Sequence, residues 1–224
     1  MNRILIVAAH PDDEILGCGG LMSKLSGEAE FSVLFLAEGT SCRFETPELD
    51  SCGEEIQCRN ECAVRALRVL GVNRVQFSNL PCGKLDTYPL ISLNKIIEKE
   101  IYSFKPDTIF THYEHDNNAD HRRVYKSTMI ASRPHATVVR NVLSYEVLSS
   151  TECNFSTSFV PNYFVSLEKK DLDKKCLAMS QYSSECRKWP HPRSERGIRT
   201  LCDFRGMQSG FENCEAFKVI RMSA

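Results

Sequence analysis

Arg3-Ile4-Leu5-Ile6-Val7-Ala8-Ala9-His10-Pro11-Asp12-Asp13-Glu14 stands almost at the start of the chain, and the change of character at His10 decides the fold. The apolar run from Arg3 to Ala9 reads as a strand buried on both faces, as in a parallel sheet. It leads straight into a charged turn, and beyond it Ile15, Leu21, Met22 and Leu25 fall at helical spacing. The run is too short, and too directly followed by charge, to be a signal peptide. A strand, a polar turn and a helix make the first unit of a β-α repeat.

The repeat continues outward from that unit. Phe31 to Ala37 reads as a second strand, Glu54 to Leu70 as a helix closed by Gly71, and Arg74 to Ser78 as a third strand. Leu90 to Phe104 is amphipathic and stops near Pro106, after which Asp107 to Thr111 forms a fourth strand. Val138 to Leu148, Tyr163 to Leu167 and Phe217 to Arg221 read as strands, and Arg122 to Ser132, Glu168 to Gln181 and Glu195 to Asp203 as helices. The expectation is an α/β, Rossmann-like three-layer sandwich with a mainly parallel sheet, built as one domain over residues 1–224.

Bulk properties narrow the class without naming a partner. With 28 Lys+Arg against 29 Asp+Glu the net charge is -1, so no overall field draws the chain to nucleic acid or an anionic membrane. No stretch reaches the roughly 20 apolar residues of a membrane span. The cysteine count is odd, at eleven, and no export signal precedes them, so reduced thiols in a cytoplasm are expected. Cys52, Cys58 and Cys62, with Cys42 nearby, contain no C-x-x-C pair and read as free thiols rather than a structural zinc cluster.

Ligands of open parallel sheets sit outside the carboxyl ends of the strands. Two polar clusters fall there, His10 to Glu14 after the first strand and His112 to His121 after the fourth. A catalytic zinc takes three His or carboxylate ligands and keeps one position open. His10 and Asp13 can reach one ion from a single turn, while Asp12, diverging from them, can serve as general base. Glu14 at the helix start is expected to complement the helix dipole. The third ligand is expected from His121, with His112 and His115 competing, and Asp120 can orient it.

Ala9-His10-Pro11-Asp12-Asp13-Glu14 followed by Gly17-Cys18-Gly19-Gly20 resembles the signature of the PIG-L/LmbE-like N-deacetylases, and Asp120-His121-Arg122-Arg123-Val124 resembles that family's second motif. Weaker matches are Arg59 before Leu70-Gly71, Lys105-Pro106-Asp107, and Arg205-Gly206 ahead of Glu215-Ala216-Phe217. The resemblance implies a mononuclear Zn2+ site at His10, Asp13 and His121, with another divalent metal of similar geometry allowed. It also implies Asp12 as the base that takes a proton from zinc-bound water and delivers it to the departing amine. The implied reaction removes the acetyl group from an N-acetylated amino sugar, nucleotide sugar or glycoconjugate, and a homo-oligomer is allowed. Where many members carry His-Pro-Asp-His, this chain has Asn118-Ala119-Asp120-His121.

Trp189-Pro190-His191-Pro192-Arg193-Ser194 is the candidate source of a further donor. His191 is expected to stabilise an oxyanion, Trp189 to stack on a sugar ring, and Arg193 to contact substrate. Arg59 is a candidate for a substrate phosphate or hydroxyl, and Asp86 for a sugar hydroxyl. His112, His115 and Asp116 are expected near the pocket, and His135 in solvent. A dinucleotide site is disfavoured, since G-x-G-x-x-G from Gly17 requires glycine where Met22 stands, and Asp12 and Asp13 repel a pyrophosphate. A sugar-binding protein without turnover, or an amidase for non-sugar amides, are the remaining rivals.

Overall fold

In the computed structural model, which describes residues 1–44 and 52–223, the opening apolar run is β1 (Arg3–Ala8). Successive side chains of a strand point to opposite faces, and β1 serves two cores accordingly. Ile4, Ile6 and Ala8 pack on one face of the sheet and Leu5 and Val7 on the other. The chain then forms α1 (Asp13–Lys24), β2 (Glu30–Ala37), α2 (Gly53–Val69), β3 (Arg74–Leu80), α3 (Leu90–Phe104), β4 (Thr108–His112) and α4 (Ala119–Ala131). It continues through β5 (Asn141–Tyr145), β6 (Tyr163–Ser166), α5 (Lys169–Ser180), α6 (Glu195–Ser209) and β7 (Cys214–Arg221).

The strands make one seven-stranded sheet in the order β3-β2-β1-β4-β5-β7-β6. β1 to β5 run parallel to their neighbours, and β7 lies antiparallel to both β5 and β6. Helices α1, α2, α5 and α6 share the core of one face, and α3 and α4 that of the other. The mainly parallel three-layer architecture is therefore the one the β-α repeat predicts. From β1 the chain moves outward to β2 and β3, then crosses back to place β4 on the other side of β1. The reversal opens a crevice at the carboxyl ends of β1 and β4.

The glycines after the charged turn serve packing. A Cβ at Gly17 would lie 2.3 Å from the ring of Tyr145 on β5, and one at Gly20 would lie 2.4 Å from Leu167. Their absence of side chains lets α1 lie close on the sheet. The α1 backbone is also gripped by side chains here, with the Leu16 carbonyl accepting from Lys175 Nζ at 2.8 Å and the Gly20 N–H donating to Glu215 at 2.7 Å.

Several elements differ in extent from the expectation: β7 begins at Cys214 and α4 at Ala119, each three residues early, β3 runs on to Leu80, and the largest differences fall in β5 and α6. The strand expected over Val138 to Leu148 is confined to Asn141–Tyr145, and α6 runs past Asp203 to Ser209. Gly206 allows that extension, since a Cβ there would meet the Glu212 carbonyl at 2.5 Å, and Gly210 at φ 79° turns the chain toward β7. Among the described residues no helix is long and apolar enough to cross a membrane.

Candidate active site

The turn between β1 and α1 is built around one unusual backbone. Asp12 has φ 111° and ψ -27°, positive-φ space that non-glycine residues rarely enter and that persists only when the surroundings enforce it. The surroundings do so from two sides. The Asp12 N–H donates to Glu14 Oε2 at 2.9 Å, and Glu14 Oε1 accepts from the Tyr182 hydroxyl at 2.7 Å. Arg59 Nη2 and Nε donate to the Pro11 carbonyl at 2.7 and 3.1 Å. Burial pushes the Glu14 carboxyl up to about 8, so this residue braces the turn more than it faces the helix dipole with charge.

Asp13 stands at the centre of a buried cluster. Its Oδ2 accepts the His10 N–H at 2.8 Å and lies 3.4 Å from His10 Nδ1, 3.3 Å from His121 Nε2 and 3.5 Å from His112 Nε2. His10, Asp13 and His121 each offer one ligand atom, all within 4.8 Å of one another. The second nitrogen of each histidine is held by another carboxylate. His10 Nε2 meets Asp120 Oδ2 at 2.9 Å, and His121 Nδ1 meets Asp116 Oδ1 at 3.1 Å as an ion pair rather than a well-aligned hydrogen bond. Carboxylates in this position fix the tautomer and orientation of metal-binding histidines.

The titration of the cluster shows what charge it is built to hold. Burial works against a charged His10 and His121, but Asp120 and Asp13 raise His10 to about 9, and Asp13 and Asp116 raise His121 to about 10. Asp13 is buried too, yet the histidines hold it well below the usual carboxylate range. Protons on two histidines thus neutralise the carboxylates where a dication would otherwise do so. The donor set of imidazole nitrogen and carboxylate oxygen suits zinc or a similar divalent ion.

His112, a competitor for the ligand role, is engaged differently. Its Nε2 accepts the Ala9 N–H at 2.8 Å, and its ring stacks on His121 with centroids 3.9 Å apart. Burial and the neighbouring His121 push it down to about 3, so it supports the His121 ring as a neutral imidazole. His115 is exposed beyond the cluster.

Asp12 faces an arginine system that the sequence does not announce. Arg193 Nη1 and Arg59 Nη2 lie 3.2 and 3.3 Å from its Oδ2. Both arginines also reach Glu185 at 2.7 Å, and Arg43 grips the same carboxylate at 2.7 and 2.8 Å. Glu185 is fully buried and held down at about 2 by these guanidinium groups despite the burial that opposes it. Asp12 itself is pushed up to about 6, burial outweighing the two arginines.

A cavity of about 210 Å³ joins these groups, lined by His10, Asp12, Asp13, His121, Arg59 and Arg193 among others. The other predicted residues stand apart from that lining. Asp86 is exposed on the short turn Leu85–Thr87, and Trp189 is 48% exposed with Arg196 stacked 4.3 Å over its ring. His191 is part-buried and accepts the Arg193 N–H at Nδ1, 3.1 Å away, so its visible contact is with the Arg193 backbone. Asp120 orients His10 rather than His121, and its oxygens also accept the N–H groups of Gly83 and Leu85 at 2.7 and 3.1 Å. A second set whose ligand atoms lie within 4.8 Å of one another is His10, Cys82 and Asp120, and among the described residues neither set includes Cys52, Cys58 or Cys62.

A buried His-Asp-His set beside a carboxylate, at the switch point of a three-layer α/β sandwich, defines an LmbE-like deacetylase fold. The chain belongs to the PIG-L family, whose profile, described as GlcNAc-PI de-N-acetylase, matches residues 5–132. It is 27% identical over 186 residues to the uncharacterized deacetylase YaiS of Escherichia coli (strain K12), covering 81% of this chain and 90% of that protein. The N,N'-diacetylchitobiose deacetylase of Pyrococcus horikoshii, solved with an inhibitor, superposes with a TM-score of 0.77 at 21% identity, covering 98% of this chain and 84% of that one. The zinc-inhibited form of teicoplanin deacetylase Orf2 superposes with a TM-score of 0.74 at 17% identity, covering 99% of each chain. At such identities these two structures speak for the fold.

Proposed function

We propose that this chain is a zinc-dependent N-deacetylase that removes the acetyl group from an N-acetylated amino sugar or sugar conjugate. One observation carries the reading: His10, Asp13 and His121 each bring one ligand atom within 4.8 Å of the others on the wall of a cavity that Asp12 also lines. An ion at these atoms would polarise an acyl carbonyl and lower the pKa of water. The relatives named for deacetylation, one of them for N,N'-diacetylchitobiose, support the reaction and the sugar class.

The residues divide the work in the following way. Asp12 is the general base and acid, and both of its arginine contacts fall on Oδ2, which leaves Oδ1 to take the proton of the attacking water and pass it to the departing amine. Its raised pKa brings proton uptake and release near the working pH. Arg59 fixes the Pro11 carbonyl and thereby the strained turn, so its role is to position Asp12. Arg193 lines the cavity with its Nη1 beside Asp12, which supports it as a donor to a substrate oxygen. His191 would act through the Arg193 backbone, and Trp189 and Asp86 would touch only a substrate extending beyond the cavity.

The test is release of acetate, with free amine in equal amount, from a panel of N-acetyl sugars, nucleotide sugars and non-sugar acetamides. The proposal expects turnover with sugar members and loss of it on chelation. Turnover confined to non-sugar amides would move the substrate class, and no turnover with any member of the panel would favour a binding protein.

A further inference from the structure

Cys42 and Cys82 have no part in the chemistry above, yet both line the same cavity, and their Sγ atoms stand 2.9 Å apart. They come from separate loops, Cys42 from the turn Ser41–Arg43 beyond β2 and Cys82 from the segment after β3. Glu38, a fully buried carboxylate at the end of β2, clamps both loops. It accepts the N–H groups of Thr40 and Ser41 at 2.5 and 2.9 Å and the Ser41 hydroxyl on one side, and the Cys82 N–H at 2.7 Å on the other. The two thiols are held facing each other by the fold.

Each cysteine also adjoins a chain of contacts leading into the site. Arg43, next to Cys42, grips Glu185, which holds Arg59 and Arg193 beside Asp12. Gly83, next to Cys82, donates its N–H to Asp120, which holds His10. A change in the sulfur-sulfur geometry therefore acts on the base and on a metal-site histidine together.

We propose that Cys42 and Cys82 form a modification site at the cavity, converted to a disulfide by a small-molecule disulfide, and that the cross-link lowers turnover. The inference rests on the reading of this cavity as the deacetylase site. Cys42 is exposed and Cys82 buried, which sets the order of events. The contact between the two sulfurs lowers the Cys42 thiol and raises the buried Cys82 thiol, so Cys42 is the nucleophile of the first step and Cys82 gives up its proton only in the second. The Cys42 thiolate attacks one sulfur of the reagent, the reagent's S–S bond breaks, and one thiolate leaves and takes up a proton. Cys82 then loses its proton, attacks Cys42 Sγ and expels the second thiol. Two electrons pass from the protein thiols to the reagent, which ends as two thiols. Bonding at about 2.05 Å draws the sulfurs together and shifts loops that Glu38 otherwise holds in place.

The experiment treats the metal-loaded full chain with glutathione disulfide, alkylates the remaining thiols and maps the peptides. The expected result is a cross-link between the peptides carrying Cys42 and Cys82, with turnover lowered about tenfold or more, since small misplacements of catalytic groups are costly, and restored by dithiothreitol. Cys42→Ser should show no reagent-dependent loss relative to its own untreated turnover. Failure to find that cross-link, a cross-link with full turnover, or an equal loss in Cys42→Ser overturns the inference. Should the chain release acetate from no substrate, the deacetylase reading fails by itself, and Co2+ uptake read by ligand-field absorption decides the inference. Weaker uptake in the cross-linked form upholds it, and equal uptake overturns it.

Discussion

Asp12 and Asp13 are neighbours in sequence whose carboxyls are pushed in opposite directions, Asp12 up to about 6 by burial and Asp13 far down by the histidines around it. The roles proposed for them, Asp12 as base and Asp13 as ligand, accord with that split and predict that Asp12→Asn keeps its metal while kcat falls by about 10² to 10⁴, the usual scale of general acid-base catalysis. Metal analysis beside steady-state kinetics checks this. Glu185→Gln leaves Arg43, Arg59 and Arg193 without their common counter-charge, and the chain should lose about 3–5 kcal/mol in denaturant unfolding, as buried pairs do when one partner is removed. The histidines give a pH signature in the metal-free chain. Their folded values of about 9 and 10 exceed the ordinary 6.5, so their stabilisation is complete below pH 6.5 and lost as pH rises through 9 to 10. Thermal unfolding of the chelated protein should therefore show a lower Tm at pH 9.5 than at pH 6, whereas metal affinity, in competition with those protons, should climb over the same range. The residues of the two motifs were legible because each carries chemistry in its side chain. Glu185 was not, since nothing in Ser184-Glu185-Cys186 distinguishes it from a surface acid until three arginines from other segments close on it. Asp120 was legible as an orienting carboxylate, but its partner is His10 because it projects from α4 toward the β1 turn.

At the scale of elements, the β-α repeat was readable from apolar periodicity, and the strand faces alternate residue by residue in β1 and, as far as Leu36, in β2. The extents of β5 and α6 were less so, because tertiary contacts set them. The expected strand over Val138 to Leu148 stops at Tyr145, whose hydroxyl donates to the Val7 carbonyl and ties β5 to β1 across β4. Gly17 packs against that same tyrosine, so Gly17→Ala should destabilise the fold by about 1–3 kcal/mol through overpacking. Because the Tyr145 hydroxyl also lies 3.3 Å from His112 Nε2, the same variant should bind its metal less tightly. Denaturant unfolding and metal titration of the one variant read both effects.

At the scale of the whole molecule, function depends on topology that a linear reading reaches only in part. Parallel order and the placing of polar clusters at strand ends follow from the β-α repeat. The antiparallel β7, inserted between β5 and β6, does not, because its partners are set by long-range pairing. The arginine wall of the cavity is likewise assembled from the turn after β2, from α2 and from the loop before α6. The proposed metal site is completed only where β1 and β4 lie side by side, since His121 follows β4 by way of the loop that begins α4. Metal content of His121→Ala tests that completion most directly. The wild type and Asp12→Asn should each carry about one equivalent of zinc after reloading, as expected of a three-ligand site with one open position, and His121→Ala should carry almost none; a His121→Ala variant that retains the full equivalent would contradict the account and return the third ligand to His112 or His115.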